Sequence, residues 1–466
     1  MLSWKSLLNE GRRKSKGQAG AAQESGRFEF ERDYDRILFA APTRRLADKT
    51  QVFPLDRNDS VRTRLTHSHE VSTLARSIGL RLVYEKESIF EGAESGAFLQ
   101  RGIPAMLAAI GLVHDLGNPP FGHQGEYAIQ SWFKSKSDIF LDGMSVEEAG
   151  DFFTFDGNAQ TVRLVTKLQI LNDKFGLNLT YGTLAALIKY PVPICGVDKG
   201  QWKKQGYFKS EQEIVEDIWG ETGLSQGVRH PLTYVMEACD DIAYSVLDAE
   251  DTVKKGLASY YDLLRYLKSQ CSDDEVAKEV ISKSENSSTS FESSGLSPQE
   301  LNECSMQMFR VFSITAMVNS VVDEFSSRVE VLLKGECLYK GIISVSKSAI
   351  LCGALKKFDL EYGFKHKSVL ELELRGNSYI TEVMDMLWVG VHGRLDKAES
   401  SNTPFGKYVY SRISENYRRI FEDEKNELPV RYKEAQLLAD SISGMTDSYL
   451  IALHSELRPL YDSHCK

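Results

Sequence analysis

Apolar residues recur at Val71, Leu74, Ala75 and Ile78, the i, i+3, i+4, i+7 spacing that lines one face of an amphipathic helix. This places His67 near the N-terminal end of that helix. A second segment, PAMLAAIGLVHDLG, is apolar nearly all round, which predicts a buried helix, and it ends in His114, Asp115, Gly117, Asn118, Pro119 and Pro120. Helical periodicity returns in HPLTYVMEACDDIAYSVLDAEDTVKKG, in LNECSMQMFRVFSITAMVNSVVDEFSSRVEVLL and in YKEAQLLADSISGMTDSYLIALHSEL, while strand signals are sparse. The pattern predicts a mainly α protein. The stretch 269–300, with SKSENSSTSFESSGLS, offers little apolar surface and is expected to be an exposed linker or insertion. It would separate a core of residues 61–268, preceded by an N-terminal segment 1–60, from a C-terminal helical lobe 301–466.

Composition narrows the class. The chain has 466 residues, 42% hydrophobic and 26% charged, enough to bury a large core. No apolar run approaches the roughly 20 residues of a membrane span. The start, MLSWKSLLNEGRRKSKGQAG, lacks an apolar stretch followed by a small-residue cleavage site, so a cytoplasmic protein is expected. Seven well-separated cysteines with no CxxC pair read as reduced thiols. A formal net charge of −10 disfavours a dedicated nucleic-acid binder.

The chemistry concentrates where apolar helices carry polar ends. His114 and Asp115 close a buried helix, where two such side chains are costly unless compensated, and a cation is the simplest compensation. Taken alone, the pair is more often a hydrogen-bonded core histidine and a capping aspartate. His67 and the acidic pair Asp240-Asp241, inside the helix YVMEACDDIAYSVLDAED, supply further imidazole and carboxylate donors suited to Mg²⁺, Mn²⁺, Fe or Zn²⁺. Phe53, Phe121 and Phe155 fit a core role or a base-stacking role. Asn158 and Gln160 in FDGNAQ suggest a polar pocket wall.

The set H…HD…D, closing at His67, His114, Asp115 and Asp240, resembles the HD phosphohydrolase superfamily. The resemblance also sets the register of the last residue, since members of this type carry Tyr four and Asp eight residues after the ligand Asp, as Asp240, Tyr244 and Asp248 do, leaving Asp241 to the side. The similarity narrows in RTRLTHSHEV, HDLGNPPFGHQGE, FDGNAQ, HPLTYVMEACDDIAY and SGMTDSY, which resemble the bacterial deoxyguanosine triphosphate triphosphohydrolases from about Arg62 to Tyr449.

That resemblance implies an HD-domain helical fold with an additional C-terminal lobe. It also implies an enzyme that uses a divalent cation (Mg²⁺ or Mn²⁺, with Fe, Co or Zn on the same ligands) to cleave dGTP or other dNTPs to nucleoside and tripolyphosphate. It places an acid-base pair at His123 and Glu126. It gives Lys189 to the triphosphate, beside Arg64, which lies one turn before His67. Gln51 and Asp248 would hold the sugar 3′-hydroxyl, and Tyr244 would pack on the ring where a 2′-hydroxyl would collide. Homo-hexamers and a response to single-stranded DNA belong to the same expectation. The competing readings are another HD phosphohydrolase, acting on a nucleoside monophosphate, cyclic dinucleotide or alarmone, and a nucleotide-sensing DNA-binding protein.

Overall fold

The computed structural model describes residues 1–16, 26–53, 61–169, 173–197, 201–338 and 341–465, without the side chain at position 400. Much of the Gly-rich start, and Pro54 and Leu55 of PTRRLADKTQVFPL, lie outside these residues. Among the described residues the architecture is all helical, with only two isolated bridges, Arg12 to Thr180 and Thr50 to Thr63. None of the helices is long and apolar enough to cross a membrane. All seven cysteines are free.

The helices that matter for the site are α1 (Arg64–Glu85), α2 (Ala97–Val113), α3 (Gly122–Ser135), α4 (Gly157–Arg163), α5 (Tyr181–Leu187) and α6 (Pro231–Lys254). They are followed by α7 (Glu275–Glu292), α8 (Pro298–Leu333), α9 (Ala349–Phe358), α10 (Lys367–Val391), α11 (Val430–Ser443) and α12 (Asp447–His464). Helix α1 starts at a reciprocal cap: the Thr63 hydroxyl accepts from Thr66 N–H, and the Thr66 hydroxyl accepts from Thr63 N–H at 3.0 Å. This cap fixes the first turn and therefore the direction of His67.

Helices α1 and α2 pack closely enough that a Cβ at Gly111 would lie 2.8 Å from the Cα of Ser72. Only a residue without a side chain lets His114, three positions later, reach the His67 face. Leu107, Ile110 and Leu112 are fully buried on α2, each contributing about 1.5–3 kcal/mol of transfer free energy. Arg62 ties the start of α1 to α6, with ion pairs to Glu70, Glu250 and Asp251.

One continuous apolar core runs from Trp4 to Leu457, joining the early helices to α10, α11 and α12. The stretch expected to be an exposed linker is instead largely the helix α7, capped by Asp274 and packed on α8. Its buried face is Ala277, Val280, Ile281, Ser284 and Ser288. Small residues at helical spacing let α7 approach closely, and Ser305 donates across the contact to Ser288 at 2.9 Å. A count of large apolar residues misses such a face. The periodic run from Tyr432 to Leu457 is two helices, broken between Ser443 and Asp447.

Candidate active site

Three helices deliver the expected cation-binding side chains to one point. His67 lies in the first turn of α1, His114 and Asp115 follow the end of α2, and Asp240 sits in the middle of α6. His67, His114 and Asp115 each bring a donor atom within 4.8 Å of the others. Asp240 Oδ1 stands against both imidazoles, 3.2 Å from His67 Nε2 and 3.5 Å from His114 Nε2. His114 Nδ1 faces the Gly111 carbonyl at 2.7 Å, which assigns the proton to Nδ1 and leaves the Nε2 lone pair free. His67 Nδ1 and His114 Nε2 are buried nitrogens without a hydrogen-bond partner. A buried polar atom of this kind demands a ligand, and the donor set of two imidazoles and two carboxylates fits a divalent metal.

The electrostatics agree with that fit. Burial opposes ionisation of Asp115, but His114, Arg64 and His67 outweigh it and hold the carboxyl below its usual range. Asp240 is likewise held well below its range, with burial outweighed mainly by Lys189 and His114. The same carboxylates raise His114 to about 9 against the effect of its burial. Neutral imidazole is the ligating form, so a metal here would displace that proton. Asp241 turns aside to pair with Lys356.

The cations expected to meet phosphate are already at the site. Arg64 Nη1 donates to Asp115 Oδ2 at 2.6 Å, while its buried Nε has no partner. Lys189 Nζ lies 3.3 Å from Asp240 Oδ2. Its carbonyl accepts from Arg229, which also pairs with Glu237. Each cation thus pairs with one of the two carboxylates of the cluster.

His123 and Glu126 occupy the first turn of α3. His123 Nδ1 is 2.9 Å from Glu126 Oε2, and the imidazole is 76% exposed while the carboxyl is 7% exposed. Glu126 also accepts from Gly157 N–H at 2.7 Å. Burial raises its pKa, but His123 and Lys204 more than offset this and keep it ionised. The helix is entered through Phe121 at φ +60° and Gly122 at φ +57°. A side chain at Gly122 would bring its Cβ to 2.4 Å from Arg64 Nη2, so the glycine is required by both backbone and neighbour.

On the far side, Asp248 is wholly buried and neither carboxyl oxygen has a partner, and Gln51 Oε1 is similarly orphaned. Burial first, and Asp251 second, push the Asp248 carboxyl well above its ordinary range. Tyr244 leans on Phe364 with ring centroids 5.7 Å apart.

Other expectations are settled differently. Phe155 stacks on Phe208 in the core. Phe53 forms a small separate cluster with Val61 and Val369, under Lys255. Phe121 packs so tightly against α10 that a Cβ at Gly376 would lie 2.5 Å from its ring. Gln160 does not form a pocket wall: it is buried and donates to Asp440 at 2.9 Å, within the Arg163–Asp440–Glu211 network. Asn158 folds back on Asp156, the cap of α4.

No protein-family model matches the chain. It is 34% identical to a "Deoxyguanosinetriphosphate triphosphohydrolase-like protein" of Listeria monocytogenes, across 98% of this chain and 100% of the relative. A protein of the same name in Pseudomonas aeruginosa is 31% identical over 98% of each chain. The chain belongs to the deoxyguanosinetriphosphate triphosphohydrolase-like family. A Serratia proteamaculans relative, named deoxyguanosinetriphosphate triphosphohydrolase without "like", is 29% identical over 90% of this chain and 92% of its own length.

In this triphosphohydrolase-like chain the structure also brings in residues that sequence reasoning missed. Lys204 pairs with Asp156 at 2.6 Å and approaches Glu126 at 3.7 Å. Asn118 donates to Asp115 Oδ1 at 2.6 Å. Lys49 is fully buried, donating to the carbonyls of Asn118 and Ser443 at 2.6 and 2.7 Å. Asn118 stands in HDLGNPPFGHQGE and Lys49 in PTRRLADKTQVFPL, but neither segment by itself gives the residue a role.

Proposed function

We propose that this protein is a metal-dependent dGTP triphosphohydrolase that releases deoxyguanosine and intact tripolyphosphate. The observation that carries the reading is the joint placement, around one point, of the His67/His114/Asp115/Asp240 cluster and its two attendant cations Arg64 and Lys189. The exposed His123, backed by a buried Glu126, supplies the acid-base group, and membership of the family supplies the substrate class.

A divalent cation held by His67, His114, Asp115 and Asp240, Mg²⁺ or Mn²⁺ first and Fe, Co or Zn on the same donors, would lower the pKa of water and neutralise phosphate charge. Arg64 and Lys189 face the triphosphate and orient it with charge-assisted bonds. Glu126 holds His123 through Nδ1, leaving Nε2 to give a proton to the departing 5′-oxygen as water adds at the α-phosphorus and the P–O bond breaks, and the proton shed by that water then restores the ring. Asp248, whose carboxyl burial pushes well above its ordinary range, would hold the sugar 3′-hydroxyl, with Gln51 as its companion. Tyr244 occupies the volume that a 2′-hydroxyl would need.

The test is to incubate the purified protein with each dNTP and NTP, with Mg²⁺ or Mn²⁺, and to identify the products. Tripolyphosphate from dGTP, with ribonucleotides refused, is the expected outcome. Orthophosphate or pyrophosphate would point to another HD phosphohydrolase, and binding without turnover to a nucleotide sensor.

A further inference from the structure

We propose that Asp447 is a positioning residue that sets Gln51 and the His123 turn in place together, from the C-terminal half of the chain. The inference rests on the functional reading above, in which Gln51 meets the sugar and His123 moves the proton.

Asp447 is the first residue of α12 and is 2% exposed. Its two oxygens are divided between two segments of the site. Oδ1 accepts the Phe121 N–H at 3.0 Å. Oδ2 accepts the Thr50 N–H at 2.9 Å and the Thr50 hydroxyl. Phe121 is the left-handed residue that launches α3, two positions before His123, and Thr50 immediately precedes Gln51.

A non-glycine residue at positive φ persists only where its surroundings over-determine it. Here the surroundings are the Asp447 carboxylate on its amide and Gly376 beneath its ring. Lys49 closes the same arrangement, bridging the Asn118 carbonyl to the Ser443 carbonyl at the end of α11. Asp447 also has Thr50 held next to the bridge to Thr63, the cap of the His67 helix. Three donors on two oxygens require a carboxylate. An amide at this position would keep one accepting oxygen and strand either Phe121 or Thr50.

The full-length Asp447→Asn protein, loaded with Mn²⁺, is compared with the parent on dGTP and on 2′,3′-dideoxyGTP, which lacks the hydroxyl that Gln51 would hold. A displacement of about 1 Å in a reacting group costs on the order of 10²-fold in rate. The expected result is a loss of that order in kcat for dGTP, bound metal at the parent's level, and a smaller preference for dGTP over the dideoxy analogue. Equal loss on both nucleotides with the preference intact describes a merely structural residue and overturns the proposal, as does full retention of rate and preference. If Asp447→Asn fails to fold, Thr50→Ala decides: it removes one donor to Oδ2, and an unchanged preference overturns the proposal. A parent protein that releases no tripolyphosphate, or uses both nucleotides equally, sinks the functional reading itself, and the inference with it.

Discussion

His123 Nδ1 and Glu126 Oε2 lie 2.9 Å apart, one nearly free in solvent and the other buried behind it. On the proposed function, that asymmetry gives proton transfer to the exposed ring and its orientation to the buried carboxylate. Replacing His123 by Ala should cut turnover by about 10²- to 10⁴-fold, the usual worth of a general acid or base, while leaving the metal bound. Glu126→Gln should cost less. Steady-state rates with metal analysis of the same samples check both, and loss of metal in His123→Ala would make His123 a ligand.

The division between Asp240 and Asp241 gives a paired test. Asp240 stands against His67 and His114, whereas Asp241 pairs with Lys356. Asp240→Ala should therefore lose the cation and all turnover, as chelation of the parent should. Asp241→Ala should keep its metal, measured by elemental analysis. The reverse result would shift the ligand register by one.

Gly122→Ala probes the contact between the catalytic turn and Arg64. The left-handed conformation at φ +57° costs a non-glycine residue roughly 1–2 kcal/mol, and the new Cβ would meet Arg64 Nη2 at 2.4 Å. The variant should melt at a lower temperature and show a raised KM for the triphosphate as Arg64 is pushed off Asp115. Unaltered KM would mean that Arg64 does not meet the substrate.

His230 makes stability depend on pH. Burial depresses its pKa from 6.5 to about 4, against the Leu7 carbonyl that faces Nε2. The unfolded chain takes a proton near pH 6.5 that the native ring refuses until about pH 4. Stability is therefore retained above 6.5 and lost as pH falls through that window, by up to about 3 kcal/mol. Urea midpoints between pH 7 and 4 should show this slope, and His230→Gln should be flatter than the parent over the same range.

Much of the site was legible because its signals are local. His67 precedes the apolar stripe of Val71, Leu74, Ala75 and Ile78, His114-Asp115 terminates an apolar helix, and Asp240, Tyr244 and Asp248 share one face of α6 by their spacing of four. The roles of Asp447, although it stands in SGMTDSY, and of Lys49 were not legible, since each acts through backbone groups or a side chain far along the chain. Lys204 likewise carries no mark in QWKKQGYF that separates it from Lys203. Helix α7 was misread for a different reason. Its packing face is built from Ala277, Ser284 and Ser288, whose value lies in closeness of approach rather than apolar area.

The hydrogen bond from Phe121 to Asp447 spans 326 residues of sequence. During synthesis, the turn bearing His123 waits for α12 to be made before its amide finds an acceptor, and closure of so long a loop is among the late events of folding. An arrested or prematurely terminated polypeptide ending before Asp447 would carry His67, His114, Asp115, Asp240, His123 and Glu126, yet lack the acceptor for the Phe121 and Thr50 amides. On the proposed function, the group that moves the proton is thus tied to one of the last helices the ribosome makes.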